Sequence, residues 1–184
     1  MKRNFVTACL YTLVTTIVLG LGYPFLMTGV AQLLFKDKAN GQLIVSNGQI
    51  IGSRIIGQPF TGPGFFHSRP SAAGNGYDGQ SSGGSNLGPT SKTLVDRVTQ
   101  SVAAEKLAVP VPIDLVTTSA SGLDPDITPA AALYQVPRVA RERHLSEEQV
   151  TALVNSHTQQ RQLGLLGEPR VNVLQLNLDL AGIK

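Results

Sequence analysis

Three side chains in one Gly- and Ser-rich stretch are of the types that a nucleophilic hydrolase uses. Ser71, His67 and Asp78 offer a hydroxyl, an imidazole and a carboxylate, which hydrolases use as nucleophile, general base and orienting acid. However, the sequence around Ser71 has no Gly-x-Ser-x-Gly nucleophile elbow. We therefore favour turn formation for these residues and keep a membrane-anchored extracytoplasmic hydrolase as the alternative hypothesis.

The carboxylates of Asp124 and Asp126 are the other candidates for chemistry. An acidic pair can act as acid and base or coordinate a cation, but Asp beside Pro125 and before a helix is more typical of a turn and a cap. The three histidines are isolated from one another and from Cys9, so we predict no metal site.

Two further patterns are typical of anion or partner binding. The glycines of residues 82–89 precede a helix, as in anion-binding loops, but Lys92 comes too late for a P-loop. Arg138, Arg141 and Arg143 form a basic run on one predicted helix, interrupted by Glu142. A solvated helix face explains this run as well as a partner's acidic surface does.

The composition narrows the class of protein. The chain has 184 residues, a net charge of +3 and a single cysteine, so no disulfide can form within it. The positive charge is dispersed and is not interleaved with aromatic residues, which argues against nucleic-acid binding. At this length the chain can bury one core, with a further segment beside it.

That further segment is the uncharged run from Asn4 to Phe35. A helix of this length exceeds the roughly 30 Å hydrocarbon core of a bilayer, so we predict a transmembrane helix in residues 1–36. Basic residues flank both ends almost equally and do not fix the orientation. A short cytoplasmic N-terminal tail is typical of an uncleaved anchor, so we expect residues 37–184 to be extracytoplasmic.

Local signals predict an α+β domain with antiparallel hairpins and two to three helices. Asn47-Gly48 between short apolar runs predicts a hairpin, and Thr128-Pro129 predicts the start of a helix that Pro137 breaks or kinks. Ser146 and Gln149 fit a capping box.

Other elements are read from apolar periodicity. Thr90 or Ser91 caps a helix that we expect to end near Leu107, followed by an extended connector from Val109 to Pro112. Ile113 to Thr117 reads as a short strand, and the alternating leucines from Leu174 to Leu180 read as a strand with one face on the core.

The stretch from Phe66 to Pro89 has the composition of a linker, yet aromatic and apolar residues occur within it at intervals. We therefore predict an ordered loop that belongs to the domain.

Several short sequences, distributed over essentially the whole chain, carry a resemblance to one known family. They are Gly52-Ser53, Ile56-Gly57-Gln58, Phe66 with Arg69-Pro70-Ser71-Ala72, Ser82-Gly83-Gly84-Ser85-Asn86-Leu87, Asp114-Leu115-Val116-Thr117, Ser121-Gly122-Leu123-Asp124, Gln135-x-x-Arg138-Val139-Ala140, and Gly167-Glu168-Pro169 with Val171-Asn172-Val173. Together and in this order, they resemble the C subunit of the Kdp-type potassium-transporting ATPase.

The resemblance implies an accessory subunit of the inner membrane that is not itself an enzyme. Its implied partners are a channel-like A subunit with the potassium filter, a P-type ATPase B subunit and a small F peptide. ATP and potassium are then handled by the complex, and no cofactor is expected on this chain. If the carboxylates of Asp124 and Asp126 are functional, the alternative is an electrostatic cap on the channel-like subunit that admits potassium.

The resemblance also implies candidate site residues. Matched segments supply a predicted partner-docking set of Arg69, Pro70, Ser71, Ser85, Asn86, Leu87, Asp124 and Arg138. The family is described as a catalytic chaperone that raises ATP affinity through a Leu-Ser-Gly-Gly-Gln-like sequence, which makes Ser146 and Gln149 candidate nucleotide-binding residues. Glutamates replace both glycines here and place negative charge beside any phosphate, so a structural cap is the competing explanation.

Overall fold

The computed structural model describes residues 1–105 and 110–182. The chain divides into two compact units, Met1–Leu43 and Ile44–Lys184. The expected end of a helix near Leu107 and the first residue of the expected connector, Val109, lie outside the described residues.

The first unit is one long apolar helix followed by a short one. The segments α1 (Lys2–Thr15), a π-helical stretch (Thr16–Gly22) and α2 (Tyr23–Leu34) follow without interruption, and α3 covers Lys36–Ala39. Pro24 has no amide to donate to the preceding turn, which explains why wider π turns come directly before it. Among the described residues, Lys2–Leu34 is the one helix long and apolar enough to cross a membrane.

The second unit begins with the predicted hairpin. Strands β1 (Leu43–Ser46) and β2 (Gln49–Ser53) are joined by Asn47 and Gly48, which have φ angles of 52° and 78°. Asparagine and glycine tolerate this left-handed backbone, so the two-residue turn forms where the sequence predicts it.

Helix α4 (Lys92–Ala104) follows Ser91, as predicted, although the Ser91 side chain makes no capping hydrogen bond. The strand predicted for Ile113 to Thr117 is wrong, because Ile113–Leu115 is a 3-10 turn. This turn buries Asp114, whose carboxylate accepts the Thr128 amide at 2.8 Å. The requirement to satisfy that amide outweighs the local preference of the apolar residues for a strand.

Helices α5 (Pro129–Arg143) and α6 (Glu147–His157) are the centre of the unit. As predicted, Thr128 caps α5 by accepting the Ala131 amide at 3.2 Å. The helix is not broken at Pro137 and runs on to Arg143. The proline leaves one carbonyl, that of Leu133, without a helical donor, and Leu133 is exposed on the outer face.

A small antiparallel sheet joins these helices in the order β3-β5-β4. Its strands are β3 (Asp126–Ile127), β4 (Thr158–Gln159) and β5 (Arg170–Asn172). Val171 is opposite Ile127 on one side and Thr158 on the other. The short central strand β5 therefore holds β3, which precedes α5, and β4, which follows α6, in one sheet.

The final element is a helix, so the strand predicted from Leu174 to Leu180 is wrong. Helix α7 covers Val173–Gly182 and buries Val173, Leu174, Leu176, Asn177 and Leu180. Four of these, Val173, Leu176, Asn177 and Leu180, have the i, i+3, i+4, i+7 spacing of one helix face. The same leucines alternate with polar residues, so both periods fit, and packing against the core selects the helix. The core contains Phe66, Ile127, Ala131, Val139, Val150, Val154, Val171, Leu176 and Leu180.

Candidate functional site

Two buried amide side chains hold the start of the Gly- and Ser-rich stretch. Asn177 accepts the Phe66 amide at 2.8 Å and donates to the Phe66 carbonyl at 2.9 Å. Gln135 makes the same pair of bonds with His67, at 2.7 and 3.2 Å. Each side-chain amide thus satisfies both backbone groups of one residue, as a neighbouring strand would. The Asn177 pair holds Phe66 in the core as an ordered residue.

Two arginines of α5, Arg138 and Arg143, hold residues 63–65, which come directly before Phe66. Arg138 donates to the carbonyls of Pro63 and Phe65, the latter at 3.0 Å. Arg143 donates to the Gly64 carbonyl at 2.8 Å, and its guanidinium lies 4.6 Å from the centre of the Phe65 ring. Two of the three arginines in the predicted basic run therefore make contacts within the domain.

Ser71 orders the loop that follows. Its hydroxyl donates to the Gly122 carbonyl at 2.6 Å and accepts the amides of Ala73 and Tyr77 at 3.1 and 2.7 Å. The loop is also held by the Gly83 amide, which donates to the Ser121 carbonyl at 2.9 Å. The stretch is therefore an ordered part of the domain.

These contacts do not bring a catalytic triad together. The Ser71 proton is directed at a carbonyl, and His67 contacts the Gly62 carbonyl at 3.1 Å through Nε2. Asp78 accepts the Gln80 amide at 2.9 Å in a local turn. Burial, and secondarily Arg138, lowers the pKa of His67, while its hydrogen bond to Gly62 raises it. Among the residues that the structure describes, the partners of the Ser71 hydroxyl are backbone groups and include no general base.

Arg69 lies at the centre of a pocket lined with charged groups. Its Nη1 is 3.5 Å from an Asp124 oxygen and 3.7 Å from an Asp114 oxygen. On the same pocket, of about 290 Å³, Arg170 Nε is 3.1 Å from Asp126. Burial raises the pKa of Asp126; its hydrogen bond to Asn172 and the nearby Arg170 lower it, and Asp124 raises it.

Charge pairing decides what this pocket can do. Asp124 and Asp126 each face an arginine, so their charge is largely compensated before any ligand arrives. Within residues 1–105 and 110–182, no group of three or more His, Cys, Asp or Glu side chains could hold a metal ion. The pocket is suited to fixing loops against each other and does not favour the hypothesis of a potassium-admitting cap.

The predicted docking residues are only partly together. Arg69 is paired with Asp124, and the Ser71 hydroxyl donates to the carbonyl of Gly122, two positions before Asp124. Of the remaining loop positions Asn86 is exposed, while Pro70, Ser85 and Leu87 are half-buried. Arg138 has its described contacts with residues 63, 65 and 135 instead.

The candidate nucleotide-binding residues, Ser146 and Gln149, form the capping box predicted from the sequence. Ser146 accepts the Gln149 amide at 3.2 Å, and the Gln149 side chain accepts the Ser146 amide at 3.0 Å. Glu147 and Glu148 lie in the first turn between them. Hydrogen bonds from its own backbone amide and from Ser146 lower the pKa of Glu148, which keeps a negative charge at this helix end.

Sequence reasoning missed several residues that hold these sites. Asp114 and Arg170 complete the charged pocket, and Gln135 and Asn177 hold the loop. One local signal was available: Asn172 accepts the Gln175 amide at 3.1 Å, which is N-cap geometry for α7.

Comparison with known proteins gives a consistent result. A sequence model of the family described as KdpC, "K+-transporting ATPase, c chain", matches residues 5–182. A protein of Koribacter versatilis is 66% identical, with 99% of this chain and 96% of the relative covered. One from Acidobacterium capsulatum is 63% identical, with 95% of each covered, and one from Rhodopseudomonas palustris is 51% identical over the full length of both. All three are named potassium-transporting ATPase KdpC subunit.

Proposed function

Because this chain belongs to the KdpC family, the c chain of the K+-transporting ATPase, we propose that it acts as an accessory subunit. Its role is to assemble and stabilise the transport complex, and it catalyses no reaction itself. The partners under this proposal are the channel-like A subunit, the P-type ATPase B subunit and the small F peptide.

The observation that carries the non-catalytic role is the use of reactive side chains as fold contacts. The Ser71 hydroxyl is bonded to the Gly122 carbonyl and to two backbone amides. The carboxylates of Asp124 and Asp126 face arginines. Side chains engaged in this way stabilise a rigid surface, and a rigid surface is what an assembly subunit needs.

The long apolar helix supports a membrane-anchored subunit of the cell membrane. In our proposal its N-terminus is cytoplasmic and the second unit is extracytoplasmic. Asn86 is the exposed member of the predicted docking set. Leu87, which follows it directly, is half-buried, and so is Pro70 earlier in the same Gly- and Ser-rich stretch. We assign docking to this loop, with Arg69, Ser71 and Arg138 supporting its conformation from inside.

A catalytic-chaperone role, in which the subunit raises the ATP affinity of the B subunit, is also part of the proposal. The reciprocal Ser146 and Gln149 bonds, with two glutamates in the same turn, favour an indirect route. A phosphate at this site would meet like charge and side chains that are already hydrogen-bonded. The effect on ATP affinity would then be transmitted through the assembled complex.

The test is growth at micromolar potassium after deletion of the gene, with co-purification of the partner subunits. We expect the deletion strain to fail and the wild-type chain to restore both growth and the intact complex. Normal growth together with a complete complex lacking this chain would refute the proposal.

The substitution H67Q distinguishes the hydrolase alternative from the accessory role. It removes the imidazole but keeps an N–H donor for the Gly62 carbonyl. A hydrolase requires the base and would lose function with its fold intact. The accessory subunit should support growth and assembly as wild type does.

A further inference from the structure

The segment between β4 and β5 presents three leucines to solvent. Leu163, Leu165 and Leu166 are 91%, 81% and 61% exposed, and we call them the leucine knob. Single exposed apolar residues are common on protein surfaces. Three within four positions, on a loop that the structure describes in full, form a local apolar patch that needs an explanation.

The knob is held by its own backbone. Gln162 and Leu166 exchange both hydrogen bonds, each at 2.9 Å, and the Leu165 amide donates to the Gln162 carbonyl at 3.1 Å. At the base, Arg161 and Glu168 are paired at 2.5 Å. The leucines are therefore presented on an ordered turn, which lowers the entropic cost of docking.

The backbone at Leu163 shows that a leucine is an unfavourable choice for the isolated fold. Leu163 and Gly164 have φ angles of 54° and 73°, close to the 52° and 78° of Asn47 and Gly48 in the first hairpin. Asparagine and glycine adopt this left-handed conformation easily, whereas a residue with a bulky side chain is strained in it. The Leu163 side chain gains almost no burial in return, since it is 91% exposed.

Charge distinguishes between the surfaces that the knob can meet. Arg161 is paired with Glu168, and Arg170 is paired with Asp126 at 3.1 Å. No aromatic residue lies between Thr158 and Asn172. Membrane-surface segments combine aromatic residues with unpaired basic ones that attract anionic lipids. The knob has neither feature and fits an uncharged apolar cleft of a protein.

We propose that the leucine knob inserts into an apolar, uncharged cleft on another subunit of the same ATPase complex. This inference rests on the proposed function, which supplies a partner held in the same assembly. Three side chains bury much less than the roughly 800 Å² per partner of a stable free interface. A subunit already tethered in the complex has a high effective concentration, so a small anchor is sufficient.

The first test compares L163A/L165A/L166A with a matched control, I55A/V95A/I113A. The control removes three aliphatic side chains of the same unit that are 50%, 55% and 69% exposed. Each full-length chain is titrated into the purified complex lacking this subunit. We expect the knob variant to bind at least about tenfold more weakly than wild type and the control to bind as wild type. Equal binding by the knob variant and the control would overturn the proposal.

Substitution L163N separates docking from folding. Asparagine suits the left-handed position, so we expect the unfolding midpoint of the free chain to rise by about 2 °C. Binding to the complex should fall at the same time, because the most exposed leucine is lost. Unchanged binding would overturn the assignment of Leu163 as an anchor.

The occupant is identified with a photo-reactive diazirine amino acid at position 165 in the complex reconstituted in lipid. An adduct with another subunit supports the proposal. Adducts with lipid or with a second copy of this chain, or no adduct, overturn it. If wild type binds the complex and only the knob assays fail, the accessory role stands and the knob is refuted. If wild type itself does not bind, both are refuted.

Discussion

Replacing Asn177 by alanine removes both hydrogen bonds that hold the Phe66 backbone. Asn177 is 2% exposed, and its amide contacts the Phe66 amide and carbonyl at 2.8 and 2.9 Å. Phe66 is itself fully buried, so water cannot easily replace the lost partners. N177A should therefore destabilise the fold and release the start of the ordered loop.

The magnitude follows from the two groups left unsatisfied. A buried donor or acceptor without a partner costs about 1–3 kcal/mol, so the pair costs about 2–6 kcal/mol. This is a large part of the roughly 5–15 kcal/mol by which a domain is stable. N177L fills a similar volume but makes neither bond, so it should lose a comparable amount without leaving a large cavity.

The assay is urea unfolding of the full chain in detergent, followed by far-UV circular dichroism. Amide hydrogen exchange over residues 62–69 gives the local readout. The matched control is N155A, which removes an exposed asparagine from α6, and we expect it to change stability by no more than about 0.5 kcal/mol.

The reasoning is refuted if N177L is as stable as wild type and the Phe66 amide keeps its protection. In that case the side-chain amide would not be the group that holds the loop. A loss seen with N177A but not with N177L would mean that packing, and not hydrogen bonding, carries the effect.

Three further predictions concern the loop, the capping box and a half-buried histidine. G122A should destabilise the loop by about 1–3 kcal/mol, because Gly122 has φ +66° and an added Cβ would lie 2.6 Å from the Gly83 carbonyl oxygen; G83A, with open space around it, is the control in urea unfolding. S146A should cost about 1 kcal/mol in the same assay through loss of the cap, and an unchanged midpoint would contradict the capping-box assignment. The folded-state pKa of His67 is lowered from 6.5, so the unfolded chain binds the extra proton and stability should fall as pH drops below about 6.5. H67Q should remove that part of the pH dependence in thermal unfolding between about pH 5 and 7.5, and a profile identical to wild type would contradict it.

Local signals were sufficient for several elements. The Asn47-Gly48 turn, the Thr128-Pro129 helix start and the capping box of Ser146 and Gln149 all occur where the sequence predicts them. Each depends on residues within a few positions of one another, so their chemistry can be read without knowing the rest of the fold. The long apolar helix is of the same kind, because its length and lack of charge are properties of one segment.

The candidate site depended on distant partners. Arg69 meets Asp114 and Asp124 only after the chain folds, and its own sequence context does not specify either ion pair. Ser71 could be read as a nucleophile until its hydroxyl was found bonded to the Gly122 carbonyl. The residue types indicated possible chemistry, and the contacts decided that they serve as supports.

The last element shows most directly why the remainder needed tertiary structure. The leucines from Leu174 to Leu180 alternate like a strand, yet Val173, Leu176, Asn177 and Leu180 also form one helix face. Asn177 makes that helix face hard to recognise in the sequence, because a polar residue among apolar ones is expected to face solvent unless its buried partner is known. The partner is the backbone of Phe66, more than a hundred positions earlier in the chain. Local propensity therefore set the long apolar helix, the turns and the caps, while the burial of paired polar groups selected helix α7 and ordered the loop.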